Sequence, residues 1–265
     1  MLYDQLLHPD PFFLIAGPCV IEDESLMLET AEFLKKETVK RGLTLIFKSS
    51  YFKANRTAIT SYRGPGLDEG LRILQRIRTE FEVPILTDVH ETCEVDAIAE
   101  VADVLQIPAF LSRQTFLIQA AARTGRIVNI KKGQFMAPED MVDAAAKVTA
   151  EDNYQILVTE RGTTFGYHNL VVDFRSFAVL HELRVPVIYD VTHSLQRPSV
   201  GHTSGGAPEY AGMMARAAIA TGMVDGLFVE THPAPMEALS DGASMLPLPE
   251  MPDLLDSCLR HWESR

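Results

Sequence analysis

Four residues far apart in the chain, Cys19, His193, Glu230 and Asp241, together offer a thiolate, an imidazole and two carboxylates. That mixed soft and hard set suits zinc, ferrous iron or manganese better than magnesium or calcium. The four follow no compact spacing motif, so only a fold that gathers them makes them one site. His232, two residues past Glu230, competes as a ligand if its strand continues, and Pro233 argues that the strand stops. A second group is cationic: Lys48, Lys53, Arg56, Arg113, Lys131 and Arg161. Clustered cations need an anion to offset their repulsion, and phosphate or carboxylate matches the fork of a guanidinium. Six of them imply more than one anionic group. Of Lys131 and Lys132, alternation sends one into a site, and Lys131 is chosen because Asn129 shares its face.

The elements that must position these groups read as a repeated unit: a short apolar run, a polar loop, then a helical pattern. Eight such runs occur, FFLIAG near residue 14, LTLIFK near 46, VPILTDV near 86, VLQIP near 106, IVNIK near 129, YQILVTE near 157, VPVIYDV near 188 and GLFVE near 228. The first intervening helix places Met27, Ala31 and Leu34 on one face before Gly42 closes it, and the second does the same with Leu67, Leu71 and Leu74. Almost wholly apolar strands separated by helices predict a parallel sheet covered by those helices. Eight units without a GxGxxG turn predict a closed (β/α)8 barrel (TIM barrel) rather than an open nucleotide-binding sheet. One domain is expected over residues 1–265, with 1–11 as an N-terminal extension and 249–265 as a C-terminal helix.

Barrel active sites lie at the C-terminal ends of the strands. There this sequence delivers, in order, Cys19, Lys48, Asp88, Gln106 with Arg113 shortly after, Lys131, Arg161, His193 and Glu230. Two strand-to-strand intervals are stretched to about 40 residues, with the extra length in loops 49–66 and 194–207, which belong to the same face. Loop 194–207, with two adjacent glycines, is the candidate lid.

Composition bounds the partners. The 265 residues are 46% hydrophobic and carry 24 Lys and Arg against 36 Asp and Glu, a net charge of −12. A chain of this size builds a core without disulfides, and its acidic balance argues against nucleic acid or an anionic membrane as partner. Three scattered cysteines, no start resembling a secretory signal and no apolar stretch near the ~20 residues of a membrane span point to a reduced cytoplasmic setting. The acidic excess is expected on the outer helices, leaving the rim cationic.

The motifs IAGPCVIE (15–22), FKSSYFKANR (47–56), SYRGPGL (61–67), TDVHE (87–91), QIPAFLSRQT (106–115), NIKKGQF (129–135), TERGTTFGYHNLVVDFRS (159–176), YDVTHSLQ (189–196), SGG (204–206), ETHP (230–233) and LSDGASMLPL (239–248) resemble the 3-deoxy-D-manno-octulosonate 8-phosphate synthase family. The resemblance runs from about residue 13 to 248, with a motif at every strand end. It implies a (β/α)8 homotetramer that condenses phosphoenolpyruvate with D-arabinose 5-phosphate and water and releases phosphate, on the route to lipopolysaccharide. Cys19 after Gly17-Pro18 is similar to the metal-dependent members, whereas metal-independent ones carry Asn there. By that resemblance Cys19, His193, Glu230 and Asp241 hold a divalent metal, and Cys19, Lys131, His193 and Asp241 take part in the chemistry. Lys48, Lys53, Lys131 and Arg161 then hold phosphoenolpyruvate, with Gln106 nearby and Asp88 in the same site. Asn55, Arg56, Thr57 and Arg113 receive arabinose 5-phosphate, and in this family the KANR loop can reach a neighbouring subunit's site.

Departures from the family pattern are Phe52 and Phe116, where relatives often have Asp, and Thr57-Ala58 for Ser-Ser. Thr57 keeps a hydroxyl for phosphate, and the two phenylalanines suggest an altered subunit contact. Three alternatives differ in testable ways. A 3-deoxy-D-arabino-heptulosonate 7-phosphate synthase would use erythrose 4-phosphate, but its members tend to show KPRT where KANR stands. A Schiff-base aldolase would use Lys131 as nucleophile. A non-catalytic phosphosugar-binding barrel has no use for the metal.

Overall fold

The computed structural model describes residues 1–56, 58–198 and 205–265. Eight parallel strands form the frame: β1 Phe13–Gly17, β2 Leu45–Lys48, β3 Ile85–Asp88, β4 Val104–Ile107, β5 Ile127–Lys131, β6 Ile156–Glu160, β7 Val187–Asp190 and β8 Gly226–His232. Each pairs with the next, and β8 returns to β1 over five register pairs from Phe13 with Gly226 to Gly17 with Glu230, so the sheet closes. All eight coincide with the runs expected from sequence.

Alternate residues of each strand go to different cores. Phe13, Ile15, Ile46, Leu86, Val104, Ile127, Leu157, Ile188 and Phe228 pack together inside the barrel. Their neighbours, among them Leu14, Phe47, Leu105, Val128, Val158 and Leu227, face the helices. Both faces are apolar, which is why the strands show continuous apolar runs rather than alternation.

Helix α1 is Leu2–Leu7, and the outer ring comprises α2 Glu24–Val39, α3 Leu67–Phe81, α4 Val95–Val101, α5 Thr115–Arg123, α6 Met141–Thr149, α7 Arg175–His181, α8 Ala211–Ala220 and α9 Met251–Glu263. Asp23 caps α2 by accepting from the Leu26 amide at 2.9 Å, and Met27, Ala31 and Leu34 are fully buried as their spacing predicts. In α3 the buried stripe is Gly70, Ile73, Leu74 and Ile77, with Leu67 and Leu71 at its margin. The expected extension at residues 1–11 holds α1, whose Leu6 is fully buried against the inner core while Tyr3 Oη donates to the carbonyl of Ile156 at 3.2 Å. Ile156 begins β6, so α1 closes the bottom of the barrel. No described helix is long and apolar enough to cross a membrane. Thr57 and residues 199–204 of the candidate lid, Ser204 of the SGG motif among them, lie outside the described residues.

Candidate active site

The inward positions change chemistry with height. Two residues beyond Ile46, Leu86, Val104, Ile127, Leu157, Ile188 and Phe228, the same strand faces carry Lys48, Asp88, Gln106, Asn129, Thr159, Asp190 and Glu230. The apolar layer fills the barrel, and the polar layer floors a cavity of about 570 Å³ at the C-terminal ends of the strands. Gly17 makes this floor compact: a Cβ there would meet the main-chain carbonyl of Lys48.

Five of the six expected cations, Lys48, Lys53, Arg56, Lys131 and Arg161, line this cavity. Asn55, Asp88, Gln106, His193 and Asp241 line it too. Cys19 and Glu230, each 1% exposed, lie beneath the lining and are bonded to it: Cys19 Sγ to Ser240 Oγ at 3.1 Å and Asp241 Oδ2 at 3.4 Å, and Glu230 to Lys48. Arg113 departs from expectation. It is exposed and outside the lining, because Ser112 before it is buried with its hydroxyl bonded to the Ala109 carbonyl at 2.8 Å, and Arg113 follows on the outer side of that turn. Lys131 and Lys132 do diverge. Lys132, only 1% exposed, donates to the Met136 carbonyl at 3.2 Å and Thr163 Oγ1 at 2.9 Å, and faces Glu160 at 3.6 Å. Phe52 packs on its own chain's core beside His90, while Phe116 is 80% exposed.

The cations are matched by buried acids. Lys131 Nζ lies 2.6 Å from Asp190 Oδ2, Arg56 Nη1 3.3 Å from Asp241 Oδ1, and Lys53 Nζ 3.8 Å from Glu230 Oε1. Burial would raise the carboxyl of Asp190, but His193 and Lys131 hold it far below the usual range; Glu230 is held down in the same way by His193 and Lys48. Burial lowers Arg161 and Lys131, with Asp190 opposing in both cases. Arg161 spends one donor on Gln196 Oε1 at 3.1 Å, and its Nη1 is buried with no partner among the described residues. A buried guanidinium nitrogen beside the cavity can donate to an anion there.

The donor atoms of Cys19, Glu230 and Asp241 all lie within 4.8 Å of one another. His193, the fourth expected ligand, stands outside that tight group but points Nε2 at Glu230 Oε2 across 3.4 Å, and this oxygen is buried without a hydrogen bond among the described residues. His193 Nδ1 is hydrogen-bonded to Asp190 Oδ1 at 3.0 Å and lies 2.8 Å from Oδ2, the carboxylate support that orients metal-binding imidazoles. Burial lowers His193, which favours the neutral ring a metal requires. Burial pushes the Cys19 thiol up, and Asp241 and Glu230 push it the same way; a divalent cation among these atoms would reverse that field. The residues therefore fit a metal with mixed sulfur, nitrogen and oxygen ligands. His232 does not join them: β8 runs through it, but its Nδ1 accepts from the Ala234 amide at 3.0 Å and its Nε2 faces Glu22 at 3.7 Å.

Asp190 was not among the sequence candidates, although strand alternation from Ile188 leads to it directly. His193, named for that strand, sits instead on the turn after it, Thr192 being its first cap. Ser240, bonded to Cys19 and to Arg56 Nη1 at 2.7 Å, and His90, bonded to the Phe52 carbonyl at 2.9 Å, lie in loops where no periodicity marks them.

Comparison with known proteins agrees with this geometry. A model of the DAHP synthetase I family matches residues 8–259. A protein of Acidithiobacillus ferrooxidans named 2-dehydro-3-deoxyphosphooctonate aldolase is 58% identical over 246 residues, 92% of this chain and 87% of the relative. Proteins of the same name from Syntrophotalea carbinolica and Xylella fastidiosa are each 54% identical, over 91% and 93% of this chain and 87% and 90% of their own lengths. With matches that run nearly end to end on both sides, the chain belongs to the DAHP synthetase I family, alongside its 2-dehydro-3-deoxyphosphooctonate aldolases.

Proposed function

We propose that this chain condenses phosphoenolpyruvate with D-arabinose 5-phosphate and water, giving 3-deoxy-D-manno-octulosonate 8-phosphate and phosphate for Kdo and lipopolysaccharide synthesis. The observation that carries the reading is the convergence of Lys48, Lys53, Arg56, Lys131 and Arg161 on one cavity, in a chain whose relatives bear the aldolase name. Lys48, Lys53, Lys131 and Arg161, which line the cavity, would hold the phosphate and carboxylate of phosphoenolpyruvate. In the reaction C3 of phosphoenolpyruvate attacks the sugar aldehyde and water adds at C2, and the resulting tetrahedral bisphosphate expels phosphate by C–O cleavage. The same cations oppose the charge that develops on the oxygens. Asn55 and Arg56, on the loop after β2, line the cavity and would receive arabinose 5-phosphate.

Cys19, His193, Glu230 and Asp241 would hold zinc, ferrous iron or manganese, which when bound supplies Lewis-acid activation of the water or the aldehyde. Asp190 keeps the imidazole of His193 oriented for that role. The assembly is a homotetramer in the cytoplasm in this reading, and the exposed rings of Phe116 and Phe135 beside the loops after β4 and β5 support a subunit contact. Sedimentation at four times the chain mass is the expected result.

Phosphate release from phosphoenolpyruvate, measured with arabinose 5-phosphate or erythrose 4-phosphate before and after chelation, tests the function. Turnover is expected with the five-carbon sugar alone, lost on chelation and restored by a divalent metal. Preference for erythrose 4-phosphate would move the chain to the heptulosonate reaction. Chelator-insensitive turnover would remove the metal, and a borohydride-trapped adduct on Lys131 would replace the mechanism by a Schiff base.

A further inference from the structure

A one-directional chain of hydrogen bonds crosses four strands under the cavity. Thr159 Oγ1 donates to Asn129 Oδ1 at 2.8 Å, Asn129 Nδ2 to Gln106 Oε1 at 2.8 Å, and Gln106 Nε2 to Asp88 Oδ1 at 2.7 Å. Ser50 Oγ closes it on the other oxygen of Asp88. Asp88, Gln106 and Asn129 are direct register partners on β3, β4 and β5, and Thr159 stands one pleat further along β6, opposite Lys131. The direction is fixed by chemistry. An ionised carboxylate only accepts, and burial notwithstanding, Lys48 and Lys53 hold Asp88 far below the usual carboxylate range. Gln106 must therefore present its NH2 to Asp88 and its oxygen to Asn129, whose own amide is then set, and Thr159 must donate. Gln106 and Asp88 line the cavity, whereas Asn129 and Thr159 are fully buried and do not.

We infer that Asn129 and Thr159 are positioning residues for the condensation, fixing which face of the Gln106 amide meets the substrates. The inference rests on the function proposed above. Without the Asn129 donor, the oxygen of Gln106 loses its one partner among the described residues, and the amide can rotate about its contact to Asp88. Neither residue touches the reacting atoms, so each acts through Gln106.

Phosphate release from phosphoenolpyruvate and arabinose 5-phosphate by the metal-loaded enzyme supplies the test. We expect Thr159→Val to lower kcat/KM about fivefold and Asn129→Leu about tenfold, while Thr159→Ser stays within about twofold of wild type. In a Gln106→Leu background the same two substitutions should cost less than about twofold more, because the group they position is gone. A purely structural role would give the full loss in both backgrounds, and that result overturns the inference, as does Thr159→Val matching wild type. If Asn129→Leu does not fold, the Thr159 pair decides alone. Absence of turnover in the wild type would overturn the underlying function, and the inference with it.

Discussion

Lys131 Nζ stands 2.6 Å from Asp190 Oδ2 with both side chains buried, and the same carboxylate oxygen lies 2.8 Å from His193 Nδ1. One acid thus keeps a substrate-facing ammonium charged and an imidazole oriented. Asp190→Asn would leave the Lys131 charge buried without its counter-charge, at a cost of about 3–5 kcal/mol in stability. Catalysis should fall by about a hundredfold or more, since the donor facing the substrate anion loses the carboxylate that favours its charged form and holds it in place. Urea unfolding and steady-state phosphate release measure the two effects; a stable, active variant would refute the pairing's role.

The metal reading makes a separate prediction for Cys19. Its sulfur contributes one of the three donor atoms that share a 4.8 Å neighbourhood, and it is the only soft one. Cys19→Ala should therefore lower zinc affinity by at least about tenfold, read by competition with a coloured chelator, while leaving the fold unchanged by circular dichroism. Unaltered zinc binding would show that the metal sits elsewhere.

The frame was legible because an apolar run followed by a helix repeats eight times, and the cations were legible because each follows such a run. What escaped is what depends on direction. Asp190 lies on the inward face two residues past Ile188, but the nearby His193 drew the assignment to a turn. Arg113 has the right charge and a position near β4, yet the turn held by Ser112 leaves it exposed and outside the cavity of its own chain. Residues 1–7 carry too short a pattern to announce a buried face, and only the closed barrel shows what Leu6 packs against.

Arg41 joins the first and last helices of the ring. Its guanidinium holds Asp256 of α9 at 2.6 and 3.0 Å and Glu37 of α2 at 2.7 Å. The hydrogen bond from Arg41 lowers Asp256, and those from Lys40 and Arg41 lower Glu37. Carboxyls depressed in the folded state stabilise it above their unfolded range near about pH 4, and the gain disappears as pH falls through the folded values. With Asp256 48% exposed, solvent screening limits the effect to about 1 kcal/mol. Arg41→Met should be less stable than wild type at pH 7, and the two stabilities should converge as pH falls below the usual carboxylate range and these groups protonate in the folded state. A gap that persists in acid would assign the loss to packing instead.

Leu6 provides the test of the barrel's lower closure. Its side chain is fully buried against the inner cluster that includes Phe13, Ile127 and Leu157. Truncation to Ala removes that contact and leaves a cavity, a change worth about 2–5 kcal/mol in a rigid core. Helix α1 has six residues and can shift to close part of the gap, so the lower end, about 2 kcal/mol, is expected for Leu6→Ala. The cavity holding Lys131 and Arg161 lies at the opposite end of the strands, and kcat at 25 °C should stay within about twofold of wild type. If residues 1–11 were a loose extension, the same substitution would cost less than about 0.5 kcal/mol. Urea unfolding of the intact enzyme separates the two outcomes, and a loss that small would mean that α1 adds nothing to the closure of the barrel.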